Sequence, residues 1–216
     1  DTGKQTSSSR NFTGKGSATY VTGDSYEGDY VDGQRQGYGE YKFKNGFVYK
    51  GEFVQNMRCG QGTMQYKKKG TYVGSWVDSM RNGKGTYFYS NGDKYEGEWK
   101  DGVKEGQGTY FFKKSLQELS GVWIKGEFVE GKWFIRSRCL VCRGKFRNNK
   151  PIGTCTWENN HGTLTLGEYV HLAPKEEEET VVDNTINENI DFEFFEKEAV
   201  RLKKKAEDEA NGIEPP

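Results

Sequence analysis

The sequence predicts an all-β protein: an elongated single-layer antiparallel sheet of stacked hairpins, followed by a C-terminal α-helix. Three observations predict it. The chain repeats itself every 23 residues, in lines that open YEGDYVDG, YKGEFVQN, YVGSWVDS and YEGEWKDG at Tyr26, Tyr49, Tyr72 and Tyr95. A fixed period of this kind marks a repeat architecture. Within each line, ring and glycine positions alternate with charged ones, the period of a strand. Hydrophobic residues make up only 32% of the chain against 29 glycines, 13 tyrosines and 13 phenylalanines, which suits a thin sheet better than a thick sandwich.

Residues 1–11 are polar and read as a disordered N-terminus. Residues 12–25 form half a repeat, since Gly14 and Gly16 lie one period before Gly37 and Gly39. In the repeat at 26–48, Tyr26, Gly28 and Tyr30 share one face of the first strand, and Glu27 and Asp29 the other. The second strand places Gly37, Gly39, Tyr41 and Phe43 together. Asp32-Gly33 and Asn45-Gly46 suit tight turns because they tolerate positive φ. Strong repeats follow at 49–71, 72–94 and 95–118, each with its glycine pair: Gly60/Gly62, Gly83/Gly85 and Gly106/Gly108. Glycine recurring inside strands implies that a ring from elsewhere lies over the bare backbone. One hairpin is marginal alone, so stability is mostly a nearest-neighbour sum.

The phase slips by one residue near 113–115. Degenerate repeats then occupy 119–172, with starts at Leu119, Cys142 and Thr165. In the first of these, Glu130 and Lys132 stand where the glycine pair is expected. In the second, Gly153 is kept and Cys155 takes the other slot. Residues 173–189 read as an acidic linker around the four glutamates of 176–179. Residues 190–211 read as an amphipathic helix, with Phe195, Ala199, Leu202 and Ala206 at helical spacing. Residues 1–172 hold 26 Lys/Arg and 18 Asp/Glu, a net of +8, and the remainder carries −8. The acidic tail is therefore complementary to its own array or to a basic partner.

Little in the chain suggests chemistry. Cys139-Leu-Val-Cys142 is a CxxC, but Cys142 sits in the repeat's ring slot and Cys155 in its glycine slot, which is core filling rather than a zinc site. Two histidines, His161 and His171, support no nucleophilic triad. A phosphate loop is missing, and no catalytic residue, metal ligand or cofactor is expected. No twenty-residue apolar run or secretory signal is seen, and four thiols then suggest a reducing compartment. Lys67, Lys68 and Lys69 are the densest basic cluster, yet solvated turns explain them. Nucleic acid is not an expected partner, and a membrane is a weaker one than protein.

The ring face is the expected partner site. Tyr49, Phe53, Tyr72, Trp76, Tyr95, Trp99, Tyr87 and Tyr110 would line an apolar strip able to grip an extended peptide or a helix, since large exposed apolar patches mark interfaces. The tail helix could cover that strip through Phe192, Phe194, Phe195 and Leu202.

The array at 26–112, with Y-x-G-x-W/F-x-x-G followed by G-x-G, resembles the MORN repeat (membrane occupation and recognition nexus). The stretches YKFKNGFVYKGEFVQNMRCGQGT, YSNGDKYEGEWKDG and CRGKFRNNKPIGT, then GEYVHL before an acidic run, resemble the family of radial spoke head protein 1, or a smaller MORN subunit of that head. The resemblance implies a non-catalytic scaffold in the axoneme of motile cilia and flagella. Its implied partners are other radial spoke head proteins, with central-pair projections and a homo- or heterodimer of MORN subunits as further options. A MORN module tethering a complex to anionic phospholipid, and an accessory chain to a separate enzyme, remain open beside it.

Overall fold

Alternating ring and charged residues make fourteen strands, and the turn chemistry decides how they join. The computed structural model describes residues 10–170. A lone strand β1 (Gly14–Thr19) is followed by six hairpins: β2 (Ser25–Val31) with β3 (Gln34–Lys42), β4 (Val48–Val54) with β5 (Met57–Gln65), β6 (Gly70–Val77) with β7 (Met80–Tyr89), β8 (Lys94–Lys100) with β9 (Val103–Phe112), β10 (Gln117–Ile124) with β11 (Glu127–Ile135), and β12 (Leu140–Arg147) with β13 (Lys150–Glu158). Strand β14 (Leu164–Tyr169) ends the array. All fourteen lie in one antiparallel sheet in chain order. At about 4.8 Å per strand the ribbon is on the order of 60 Å long.

The all-β single sheet agrees with the sequence reading. The proposed linker, the helix at 190–211 and its docking residues Phe192, Phe194, Phe195 and Leu202 lie outside the described residues, as do residues 1–9. Within them, the helical content is one 3₁₀ turn, Arg136–Arg138.

The two edges of the ribbon use different turns. Inside each hairpin the turn has two residues, both at positive φ: Asp32 and Gly33 (49° and 78°), Gln55 and Asn56 (48° and 70°), Asp78 and Ser79 (48° and 67°). These are the twisted turns that match right-handed strands. Between hairpins, Phe43 N–H bonds to the Phe47 carbonyl and Gly46 N–H to the Phe43 carbonyl, closing a three-residue loop with Gly46 left-handed. The Lys67-Lys68-Lys69 cluster occupies one such loop and is exposed.

The glycines are explained by the ring above them. Gly51 and Gly62 pair across β4 and β5, and the Tyr49 ring lies over both. A Cβ on Gly62 would lie 2.6 Å from Tyr49 Cζ, closer than van der Waals contact permits. The Tyr49 hydroxyl donates to the Glu52 carbonyl at 3.1 Å, and Tyr72 and Tyr95 repeat the bond to Ser75 and Glu98 at 3.0 and 3.1 Å.

The degenerate region corrects one expectation. Glu130 and Lys132 do not replace the glycine pair, because the slot itself has moved. Gly131 pairs with both Gly121 and Gly144, as Gly108 pairs with Gly97 and Gly121. Phe128 and Gly131 are three positions apart, whereas Lys104 and Gly108 are four apart. The strand has lost one bulge residue and kept one glycine. The slip itself is absorbed in the turn before β10, where four residues separate the paired Phe112 and Gln117 against three between Phe43 and Phe47, with Leu116 at φ 53°.

Candidate partner-binding face

The ring face carries two layers, and only the outer one meets solvent. The inner layer is a chain of edge-on rings that crosses every hairpin boundary in residues 26–123. Tyr49 meets Phe53 of its own hairpin at 5.2 Å and 87°, and Trp76 of the next at 5.3 Å and 84°. Tyr72 does the same with Trp76 and Trp99, and Tyr95 with Trp99 and Trp123, all at 5.2–5.3 Å. Such pairs add roughly 0.5–1.5 kcal/mol each beyond the area they bury. The indole N–H groups of Trp76, Trp99 and Trp123 bond to the carbonyls of Gly62, Gly85 and Gly108 at 3.1–3.2 Å, so no donor is stranded.

All eight expected strip residues share this face, but none offers an open ring. Tyr49, Tyr72 and Tyr95 are 0% exposed, and Phe53, Trp76, Trp99, Tyr110 and Tyr87 lie between 2% and 9%. The expectation of an exposed strip made of these eight is therefore corrected. Tyr49, Tyr72 and Tyr95 are each flattened over a glycine pair, and Trp76, Trp99 and Trp123 of the next hairpins plug their edges.

The solvent-facing layer is a row that the sequence reading did not single out for binding: Tyr20, Phe43, Tyr66, Tyr89 and Phe112, all half-buried against the core. They lie 23 residues apart, so the period could have found them. What hid them is their place at the strand ends, beside the turns. Burial pushes the Tyr66 hydroxyl up and the Tyr89 hydroxyl to about 12.

A row of cations lies beside them, again on the 23-residue period: Arg35, Arg58, Arg81 and Lys104. Arg58 stands 5.0 Å from the Trp76 ring centre, Arg81 4.3 Å from Trp99 and Lys104 4.2 Å from Trp123. Each arginine also clamps the next hairpin. The Asn56 N–H donates to the Arg35 carbonyl at 3.1 Å, and the Arg35 guanidinium returns a bond to the Asn56 carbonyl at 3.1 Å. Arg58 with Ser79 and Arg81 with Gly102 repeat the exchange. The series then ends, since Phe128 and Pro151 occupy the equivalent places opposite Trp123 and Phe146.

The cysteines do not gather around a metal. Cys139 is exposed at a left-handed position, while Cys142 and Cys155 are buried together, and burial pushes both thiols up. A Cβ on Gly144 would lie 2.6 Å from Cys155 Sγ. The pair thus fills the place where a tyrosine covers a glycine elsewhere. Among the described residues, no three His, Cys, Asp or Glu side chains cluster as metal ligands, and no helix is long and apolar enough to cross a membrane.

The repeat geometry has a known counterpart, because the MORN repeat matches residues 26–48, 49–71, 72–94 and 95–116. The chain carries four tandem MORN repeats. The sheet continues past the matched segments on both sides, through β1 and through β10 to β14. No curated protein matches the chain. Among solved structures it is similar to the TCP domain of SAS-4 (dCPAP) of Drosophila melanogaster, in complex with a proline-rich motif of Ana2 (dSTIL). That likeness has 13% identity over 72% of this chain and 90% of the other, with a TM-score of 0.42.

Proposed function

We propose that this MORN-repeat chain is a non-catalytic scaffold subunit of the radial spoke head in the axoneme of motile cilia and flagella. Neighbouring spoke-head subunits dock along its ring face, and the ribbon helps pass central-pair contact on to dynein. The observation that carries the scaffold reading is the half-buried row Phe43, Tyr66, Tyr89 and Phe112 running beside Arg35, Arg58 and Arg81. Tyrosine and arginine beside an apolar surface are the residue types that dominate binding energy at interfaces. Both rows are set on clamped, ring-packed hairpins, so binding orders little new structure. Placement in the spoke head rests on the resemblance of CRGKFRNNKPIGT and GEYVHL to that family.

The test is recovery of the tagged chain from ciliated cells. Spoke-head subunits co-purify with it, and a Tyr66→Ala/Tyr89→Ala variant recovers at least tenfold less. A chain that retrieves no axonemal protein, and instead binds anionic vesicles at physiological salt, overturns the proposal in favour of a membrane tether.

A further inference from the structure

The two ends of the ribbon are finished differently. Strand β1 turns Lys15, Ser17 and Thr19 to the face away from the rings, all three exposed, and a short polar edge with a lysine resists pairing with another chain. Strand β14 ends the sheet with Leu164 and Leu166, 64% and 67% exposed, and Val170 follows at 71%. Among the described residues β14 pairs only with β13. The groups on its outer edge can be named. In the loop before it, Asn159 N–H donates to the Thr163 carbonyl at 3.1 Å, so 159 and 163 form a hydrogen-bonded pair. Alternation from that pair, with no bulge between, turns the backbone groups of Thr165, Gly167 and Tyr169 toward β13. The N–H and C=O of Leu164, Leu166 and Glu168 therefore point outward, where no described residue bonds to them. An apolar edge with unpaired backbone groups is a template for a further strand.

The glycines say which strand fits. At every boundary from β1–β2 to β11–β12 a glycine faces a glycine, from Gly16 against Gly28 to Gly131 against Gly144. Gly167 lies one period after Gly144, so β14 is the first strand of a hairpin with no second strand among the described residues. Cys155 faces Gly167 on one side, and its other side awaits a partner. One period after Gly153 and Cys155, where a second strand would carry its own glycine, the sequence has Glu176 and Glu178. A strand that does carry a matching glycine is β14 of another copy. Set antiparallel with Gly167 against Gly167, it places Leu164 opposite Val170 and Leu166 opposite Glu168, so apolar ends meet and no like charges do. The outward backbone groups then all pair, giving about eight hydrogen bonds across the boundary.

We propose that β14 is a docking edge for a second copy of this chain, joined β14 to β14 about a two-fold axis that passes through the Gly167 pair perpendicular to the sheet. Such an axis keeps both ring faces on the same side. The product is one continuous sheet about twice as long, with the two regular arrays, residues 26–112, toward its outer ends. The contact is isologous, so it closes at two copies. The polar β1 edges left at the two tips do not extend it further. The row Phe43, Tyr66, Tyr89 and Phe112 lies away from the junction in each copy, so the dimer presents that face twice and can hold a bivalent partner with avidity.

The test uses the full chain. Sedimentation over a range of protein concentrations is expected to show the mass rising from that of one chain to that of two. Leu166→Pro removes an N–H that points out of the sheet and none of the bonds to β13, so the variant keeps its ladder and loses association at least tenfold. Leu166→Lys leaves the backbone whole and weakens association by placing a charge on the edge. Amide exchange followed by NMR supplies the local readout. The Leu164, Leu166 and Glu168 amides should exchange slowly in the concentrated unaltered chain and fast on dilution, while the Gly167 amide, bonded toward β13, stays slow throughout. A chain that remains monomeric overturns the proposal, whether those three amides are fast, leaving the edge unused, or slow, the edge being covered by the chain itself. A dimer that both Leu166 variants leave unchanged overturns it as well.

Discussion

Residues 26–112 and residues 117–169 share one sheet and one ladder of backbone bonds, yet they are held by different side chains. In the first region a tyrosine covers a glycine pair in every hairpin, rings meet edge-on across each boundary, and Arg35, Arg58 and Arg81 clamp the next turn. In the second the covering side chain is Leu119 and then Cys142, the cation becomes Phe128 and then Pro151, and the regular edge-on series stops at Trp123. The strands nevertheless continue to β14 without a break in order. Backbone pairing needs only the period-2 pattern and workable turns. The 23-residue motif is a separate layer, and it is the layer that builds a regular ring-and-cation face.

The largest expected effect that probes this contrast is Trp99→Ala. Its ring is 5% exposed, packs against Tyr72, Tyr95 and Arg81 and bonds to Gly85, so truncation costs about 3–5 kcal/mol in denaturant unfolding. Trp157→Ala, in the second region, removes a half-buried ring and costs about half as much. Equal costs would show that the two regions do not differ in packing.

Alkaline pH also separates the regions. Burial pushes the Tyr26, Tyr72 and Tyr89 hydroxyls to about 12 from an ordinary value of 10.0. Above pH 10 these tyrosines ionise in the unfolded chain and stay neutral in the folded one. Stability is thus intact below pH 10 and falls as pH rises toward 12. Of the 13 tyrosines, only Tyr169 lies in 117–169, where the buried Cys142 and Cys155 thiols carry the opposing alkaline load, so with both cysteines changed to Ala amide exchange should reveal opening of the first region before the second. Simultaneous opening would mean the ribbon behaves as one cooperative unit.

A smaller effect converts one region into the other. Cys142→Tyr alone overpacks the thiol beneath it and costs about 1–3 kcal/mol. Adding Cys155→Gly recreates the tyrosine-over-glycine arrangement and recovers at least about half of that loss in the double-mutant cycle. No recovery would mean that the cysteine pair is not the structural equivalent of Tyr49 over Gly62. Smallest of all, Glu27→Lys on the exposed charged face should change stability by less than about 0.5 kcal/mol.

Much of this was legible in the sequence, and the misses have physical causes. The period placed Tyr26, Tyr49, Tyr72 and Tyr95 on one face, and Asp32-Gly33 marked its turn, because alternation and positive-φ residues are local signals. Burial is not local. Whether Tyr72 is open or sealed depends on Trp99, which arrives from the next hairpin, so the exposed face was assigned to the inner rings instead of to Phe43, Tyr66 and Tyr89. Gly131 was missed for a related reason. A single lost bulge residue moves the register, and only the cross-strand partners Gly121 and Gly144 reveal it.

The division between a sealed inner layer and an accessible outer row is tested most directly by hydroxyl-radical footprinting of the chain, alone and mixed with the spoke-head subunits proposed as its partners. The account predicts that Tyr66 and Tyr89 react in the free chain and are protected in the complex, while Tyr49, Tyr72 and Tyr95 are unreactive in both. Reactive inner tyrosines in the free chain, or outer rings equally reactive with and without partners, would contradict it.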